Sequence, residues 1–190
     1  MRDGAEPMKN EFRFGRERIR RLLNRLSEML EREKIRGEIL LFGGAAMVLG
    51  WNARRATRDI DAVFEPPARI RRLVREIAEE EGLQDAWLND AVKGFIDLLP
   101  DKADFRKSVF STDHLHIYTP PPEYLVAMKA LSARTEVEAE DTHDLKFLIK
   151  KMRLKSPAAV FRLVSKYYPK RPIPAKTVFF VESVFEDIGK

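Results

Sequence analysis

The stretch Leu40–Phe64, LLFGGAAMVLGWNARRATRDIDAVF, decides the reading of the chain. The apolar run Leu40-Leu41-Phe42 stops at Gly43-Gly44, and a short apolar segment follows. A basic, polar approach from Asn52 to Arg58 then leads to Asp59-Ile60-Asp61 and a second apolar run, Ala62-Val63-Phe64. A short apolar run ending in glycine is too brief for an independent helix and reads as a buried strand. The order is therefore strand, glycine turn, short helix, strand. Side chains alternate along a strand, so Asp59 and Asp61 share one face while Ile60 turns to the core. Two adjacent carboxylates repel unless a cation sits between them. As hard oxygen ligands they suit Mg²⁺, which completes its shell with waters and substrate phosphates. Gly43 and Gly44 allow the backbone at a helix start to approach a phosphate closely. A lone Asp-x-Asp is usually an exposed strand end and a lone Gly-Gly an ordinary turn. Together, in this order, they supply a phosphate cradle and metal ligands from neighbouring strands.

The surrounding chain is built to support such a unit. Its 190 residues, 44% hydrophobic and 34% charged, suffice for a globular core. From about Glu11 to Arg36, the residues Ile19, Leu22, Leu23, Leu26, Met29 and Leu30 recur at helical spacing. The arginines between them (Arg16, Arg18, Arg20, Arg21, Arg25) read first as a solvated helix face and second as phosphate contacts. Gly37 breaks that helix before a strand at Glu38–Phe42. Pro66-Pro67 opens a helix over Ala68–Glu81, which Gly82 stops. A short helix is expected around Trp87–Val92, with strands at Phe95–Leu99, Phe105–Phe110 and His114–Tyr118. Pro120-Pro121-Pro122 ends the sheet region. Helices follow at Glu123–Arg134, Asp141–Met152, Ala158–Tyr167 and Thr177–Asp187. Strands first and helices last predict an α+β fold: a mixed sheet flanked by helices over 1–120, then a C-terminal helical bundle over 121–190.

Phe42-Gly43-Gly44 followed by Asp59-Ile60-Asp61-Ala62 resembles the signature of the nucleotidyltransferase (polymerase β-like) superfamily, with a long gap of fourteen residues. Within it, Arg55-x-Thr57-x-Asp59-x-Asp61 is similar to a prokaryotic branch related to toxins of toxin–antitoxin and abortive-infection systems. Trp87-Leu88-Asn89-Asp90 resembles a segment recurring there. So does Pro122-x-x-Leu125-x-x-x-Lys129-x-x-x-x-Arg134, followed by Asp141 and Asp144. The resemblance covers roughly Leu40–Met152. It implies Mg²⁺-dependent transfer of a nucleoside monophosphate from an NTP to a hydroxyl, with two ions held by Asp59 and Asp61. Gly43, Gly44, Arg55, Thr57, Lys129 and Arg134 would contact the nucleotide. Asp144 would order Lys129 or Arg134, or assist catalysis. Helical periodicity alone leaves Lys129 on a flank, open to solvent. The superfamily's third carboxylate has four candidates here: Asp97, framed by Ile96 and Leu98 and therefore ranked first, then Asp104, Asp113 and Asp90.

The net charge of +5 favours an acidic partner such as nucleic acid or nucleotide. Leu145–Val181 holds no Asp or Glu but contains Lys150, Lys151, Arg153, Lys166, Lys170 and Arg171 around Tyr167-Tyr168. Cations near aromatics suit an RNA-tracking, base-stacking surface, with tRNA as one such acceptor. A solvated basic helix pair or a docking face for a cognate antitoxin fits the same residues. The acidic run Glu136, Glu138, Glu140, Asp141 is a further partner, able to neutralise the basic stretch within the fold. His114, His116 and His143 read as structural or surface groups, not metal ligands. Absent cysteine excludes a disulfide framework and suits the cytoplasm, and no apolar run is long enough to span a bilayer. The expected function is nucleotidyl transfer. The alternative is a catalytically degenerate module that keeps the fold and binds nucleic acid or a partner.

Overall fold

A computed structural model describes residues 13–96, 107–132 and 139–189. The fold is α+β. After β1 (Phe14–Gly15) come α1 (Arg16–Arg32), β2 (Gly37–Leu41), α2 (Gly43–Leu49), β3 (Ala56–Thr57), β4 (Ile60–Glu65), α3 (Pro67–Glu81) and β5 (Leu88–Asn89). A 3₁₀ turn (Ala91–Phe95) follows, then β6 (Lys107–Ser111), β7 (Leu115–Thr119) and four helices, α4 (Pro122–Ser132), α5 (Ala139–Met152), α6 (Pro157–Tyr167) and α7 (Ala175–Gly189). The main sheet has the order β5-β4-β2-β7-β6, and β1 pairs separately with β3. β2 lies antiparallel to β4 and parallel to β7, so it is central and its side chains Ile39, Leu40 and Leu41 are buried.

Apolar periodicity accounts for how α1 docks. Ile19, Leu22, Leu23, Leu26 and Leu30 are fully buried, and burying each such side chain stabilises by roughly 1.5–3 kcal/mol. Its arginines reach across to α3: Arg21 to Glu81 at 2.9 Å and Arg25 to Glu80 at 2.8 Å. Exposed pairs of this kind contribute about 0–1 kcal/mol each, so the leucine stripe dominates. Arg16 donates instead to the carbonyl of Val48 at 2.6 Å, satisfying the end of α2. None of these three arginines is a spare phosphate contact.

The segment after α3 differs from the expected helix. Leu88-Asn89 pairs in parallel with Ile60-Asp61. The side-chain oxygen of Asn89 then accepts from the Ala91 N–H at 3.0 Å and starts the 3₁₀ turn. The predicted strand at Phe95–Leu99 accordingly begins as that turn, with Ile96 capping it in an extended conformation, and its remainder from Asp97 on lies outside the described residues. The aromatic pair at the end of α6 is also reassigned. Tyr168 is fully buried and Tyr167 nearly so, their rings 5.8 and 5.2 Å from that of Tyr124 in α4. Neither offers a face to a nucleic-acid base. One buried cluster runs from Ile19 in α1 through the sheet to Val184 in α7.

Candidate active site

The site grows from the ends of β2 and β4. Phe42 closes the ladder by donating its N–H to the carbonyl of Asp61 at 2.8 Å, which sets Gly43 against that aspartate. Gly43 has φ +53°, and a Cβ there would stand 3.0 Å from Asp61 Oδ2. Only glycine takes this backbone conformation without strain while leaving room for the carboxylate. At Gly44 a Cβ would fall 2.2 Å from Thr57 Oγ1 and 3.3 Å from Arg54 Nη1. The two glycines thus bring Asp61, Thr57 and Arg54 up against the start of α2. Asp61 is half-buried, while Asp59, one residue ahead of β4, is exposed.

A cleft of about 250 Å³ opens over this corner. Its floor is Gly43, Gly44 and Thr57, and its sheet side carries Arg58, Asp59 and Asp61. The far wall comes from α4 and α5 with Met128, Lys129, Ser132, Glu140 and Asp141. Residues separated by eighty or more positions in sequence therefore share one cavity. Lys129 is not on a solvated flank. It is nearly buried and bonded to Asp141 at 2.7 Å and Asp144 at 2.9 Å. Asp144 is fully buried and also receives Arg54 through two bonds, Nε to Oδ1 at 2.6 Å and Nη2 to Oδ2 at 2.5 Å. Arg54 reaches Glu140 at 2.9 Å, and Arg13 reaches the same carboxylate at 3.3 Å. Burial works against the Arg54 charge, but the hydrogen bonds and attraction of Asp144, then of Glu140 and Asp141, outweigh it and raise its pKa.

Arg54 is the residue that sequence reasoning missed. Arg54 and Arg55 stand side by side in a loop without periodicity, and it is Arg54 that lines the cleft while Arg55 is exposed outside it. Of the acidic run, Glu140 and Asp141 pair with Arg54 and Lys129, while Glu136 and Glu138 lie outside the described residues. In the basic stretch of the last three helices, Lys150, Lys151, Arg153, Lys166 and Lys170 are exposed. Arg171 is committed to packing, 4.8 Å from the Phe95 ring and 5.4 Å from that of Tyr168. The histidines serve the fold: His143 hydrogen-bonds the Ala53 carbonyl at 3.0 Å and His114 that of Ile35 at 3.1 Å. His116 meets Ser111 across the β6–β7 pair at 2.7 Å.

Two of the four candidates for a third carboxylate, Asp113 and Asp90, lie among the described residues. Asp113 sits in the β6–β7 turn, just before Leu115, which pairs with Gly37 at the opposite end of β2 from Gly43. It is remote from the cleft. Asp90 is held by Arg71 and by Lys93 at 2.9 Å, and these cations pull its pKa down to about 2. Asp97 and Asp104 lie outside the described residues, as does Arg134. The residue paired with Asp61 on the neighbouring strand is Asn89, an amide. Among the described residues, no group of three or more His, Cys, Asp or Glu side chains is placed to hold a metal ion. Among the described residues, the carboxylates at the strand side of the cleft are Asp59 and Asp61, hard oxygen ligands of the kind that suit Mg²⁺ with water and phosphate in its other positions. The lining charges agree: three cations (Arg54, Arg58, Lys129) face four anions (Asp59, Asp61, Glu140, Asp141), with Asp144 behind them. With its described lining net negative, the cleft is unfavourable to a bare triphosphate. No helix among the described residues is long and apolar enough to cross a membrane.

No curated protein and no solved structure matches the chain. A family model does, over residues 17–155, which include both glycines, both aspartates, Lys129 and Asp144. By that match the chain belongs to the family described as a nucleotidyltransferase of unknown function (DUF6036).

Proposed function

We propose that the protein transfers a nucleoside monophosphate from an NTP to an acceptor hydroxyl, with RNA, including tRNA, as the acceptor class. The observation that carries this reading is the convergence of Gly43, Gly44, Asp59, Asp61 and Lys129 on one cleft whose charge calls for a cation with the phosphate. In the reaction the acceptor oxygen bonds to the α-phosphorus, the α-phosphorus–bridging-oxygen bond breaks and pyrophosphate leaves. The hydroxyl proton passes to water in the open cleft. Mg²⁺ held by Asp59 and Asp61 would neutralise phosphate charge and lower the pKa of the attacking hydroxyl. Arg58, with no ion-pair partner among the described residues, meets the phosphates. Lys129 supplies a fixed positive charge at the far wall, held in place by Asp141 and Asp144. A toxin-like role, restrained by an antitoxin, follows from RNA as acceptor and from the exposed lysines of α5 and α6.

The test is direct. The purified chain is incubated with labelled NTPs, Mg²⁺ and total RNA beside an Asp59→Ala/Asp61→Ala control. Label enters RNA with the unaltered chain and not with the control. The absence of both transfer and NTP binding would favour the reading as a partner-binding module that keeps the fold.

A further inference from the structure

A second and larger cavity, about 640 Å³, opens on the other side of Asp59. Arg58 and Asp59 line both cavities, so this carboxylate stands at the passage between them. The volume falls within the range of small-ligand sites, roughly 300–1,000 Å³. Its base is rigid: Phe14 and Trp87 are nearly buried with rings 6.3 Å apart, and the Trp87 indole N–H is fixed to the Val74 carbonyl at 2.9 Å.

The two cavities differ in sign. The larger one is lined by Arg13, Arg18 and Arg58 against Asp59 and Glu81, and Glu81 is already bonded to Arg21 at 2.9 Å. It is cationic where the cleft is anionic, so it receives a phosphate that brings no metal of its own. Arg13 is partly drawn off by Glu140. The Arg18 guanidinium lies 5.3 Å from the Phe14 ring centroid at the cavity base and donates to the Arg13 carbonyl at 3.5 Å. Among the described residues that line this space there is no Ser, Thr or Tyr.

We propose that this cavity seats the acceptor as the hydroxyl end of a single nucleic-acid strand, with phosphodiesters on Arg18 and Arg58 and the sugar hydroxyl beside Asp59. The inference rests on the nucleotidyl-transfer reading and adds the place of the second substrate. It gives Arg18 a positioning role in acceptor binding that NTP binding does not share.

Fluorescence anisotropy with short end-labelled RNA and DNA strands tests it on the full chain, using Arg18→Ala and Gln84→Glu. Gln84 is exposed and Arg18 half-buried at the cavity rim, so neither change removes a core side chain. Each variant is expected to weaken strand binding about tenfold, and Arg18→Ala to reduce the slope of log affinity against log salt by about 0.7. Binding of Mg²⁺ with a non-hydrolysable NTP, read by calorimetry, stays unchanged. The RNA and DNA arms separate a site that reads the ribose 2′-hydroxyl from one that reads phosphate alone. Wild-type strand affinity and salt slope in both variants overturn the proposal, as does transfer to a protein acceptor that both variants leave intact. Loss of NTP binding in the unaltered chain would sink the transfer reading alone, because the strand titrations are decided without NTP.

Discussion

Asp59 and Asp61 stand at the mouth of β4, where Gly43 makes room for Asp61, whereas Glu140, Asp141 and Asp144 stand in the first turns of α5 locked to Arg54, Lys129 and Arg13. Both sets face the same cleft, except that Asp144 is buried behind its wall. The α5 carboxylates have spent their charge on cations of the chain itself. Exposed Asp59 makes no such ion pair among the described residues, and Asp61 beside it lines the open cleft. The same side-chain chemistry thus meets fixed cations in one set and lines the open cleft in the other, and the division follows from where the guanidinium and ammonium groups are placed.

The contrast predicts opposite phenotypes. Replacing Asp59 and Asp61 by Ala removes several kcal/mol of transition-state stabilisation, so transfer falls by on the order of 10³-fold or more, while the urea midpoint stays near that of the unaltered chain. Arg54→Met does the reverse. It strands the buried Asp144 with Lys129 as its remaining ion-pair partner and costs about 3–5 kcal/mol in urea unfolding; equal stability would mean that the α5 set is dispensable. Gly44→Ala drives a methyl into Thr57 and costs about 1–3 kcal/mol as overpacking, whereas Gly43→Ala costs about 1–2 kcal/mol for its left-handed backbone and also displaces Asp61. Gly43→Ala should therefore lose more activity per unit of stability than Gly44→Ala, a ratio read from parallel kinetic and melting series.

The smallest effect concerns a carboxylate outside both sets. Asp90, with its pKa lowered to about 2 by Arg71 and then Lys93, binds a proton less readily folded than unfolded. Its contribution is present above the ordinary carboxylate pKa and is lost as pH falls toward 2. Asp90→Asn should flatten that acid limb by less than about 1 kcal/mol, as expected of a surface pair, with no change in transfer.

The elements of the fold were legible where periodicity was strong. The leucine stripe of α1, Pro66-Pro67 before α3, Gly82 after it and the change from strands to helices past Pro122 all mark boundaries by local chemistry. The glycine pair and Asp59-x-Asp61 located the cleft for the same reason. What the residues hid was decided by tertiary contact. A two-residue strand such as Leu88-Asn89 exists only because β4 lies beside it, so no window of sequence announces it. Which of Arg54 and Arg55 faces inward depends on the β1–β3 pair and on α5 arriving from the far end of the chain. Tyr167-Tyr168 read as a stacking surface because their lysine and arginine neighbours are exposed, yet the Tyr124 ring draws both into the core.

The tie between Arg54 and α5 sets an order of events during biosynthesis. The glycine pair and the β4 carboxylates leave the ribosome early, but the wall that fixes Lys129 and Arg54 requires Glu140, Asp141 and Asp144, which are translated some eighty positions later. A nascent chain stopped before α5 presents two cations with no acidic partners and no closed cleft. The far wall of the cleft is therefore incomplete until α5 has emerged and docked.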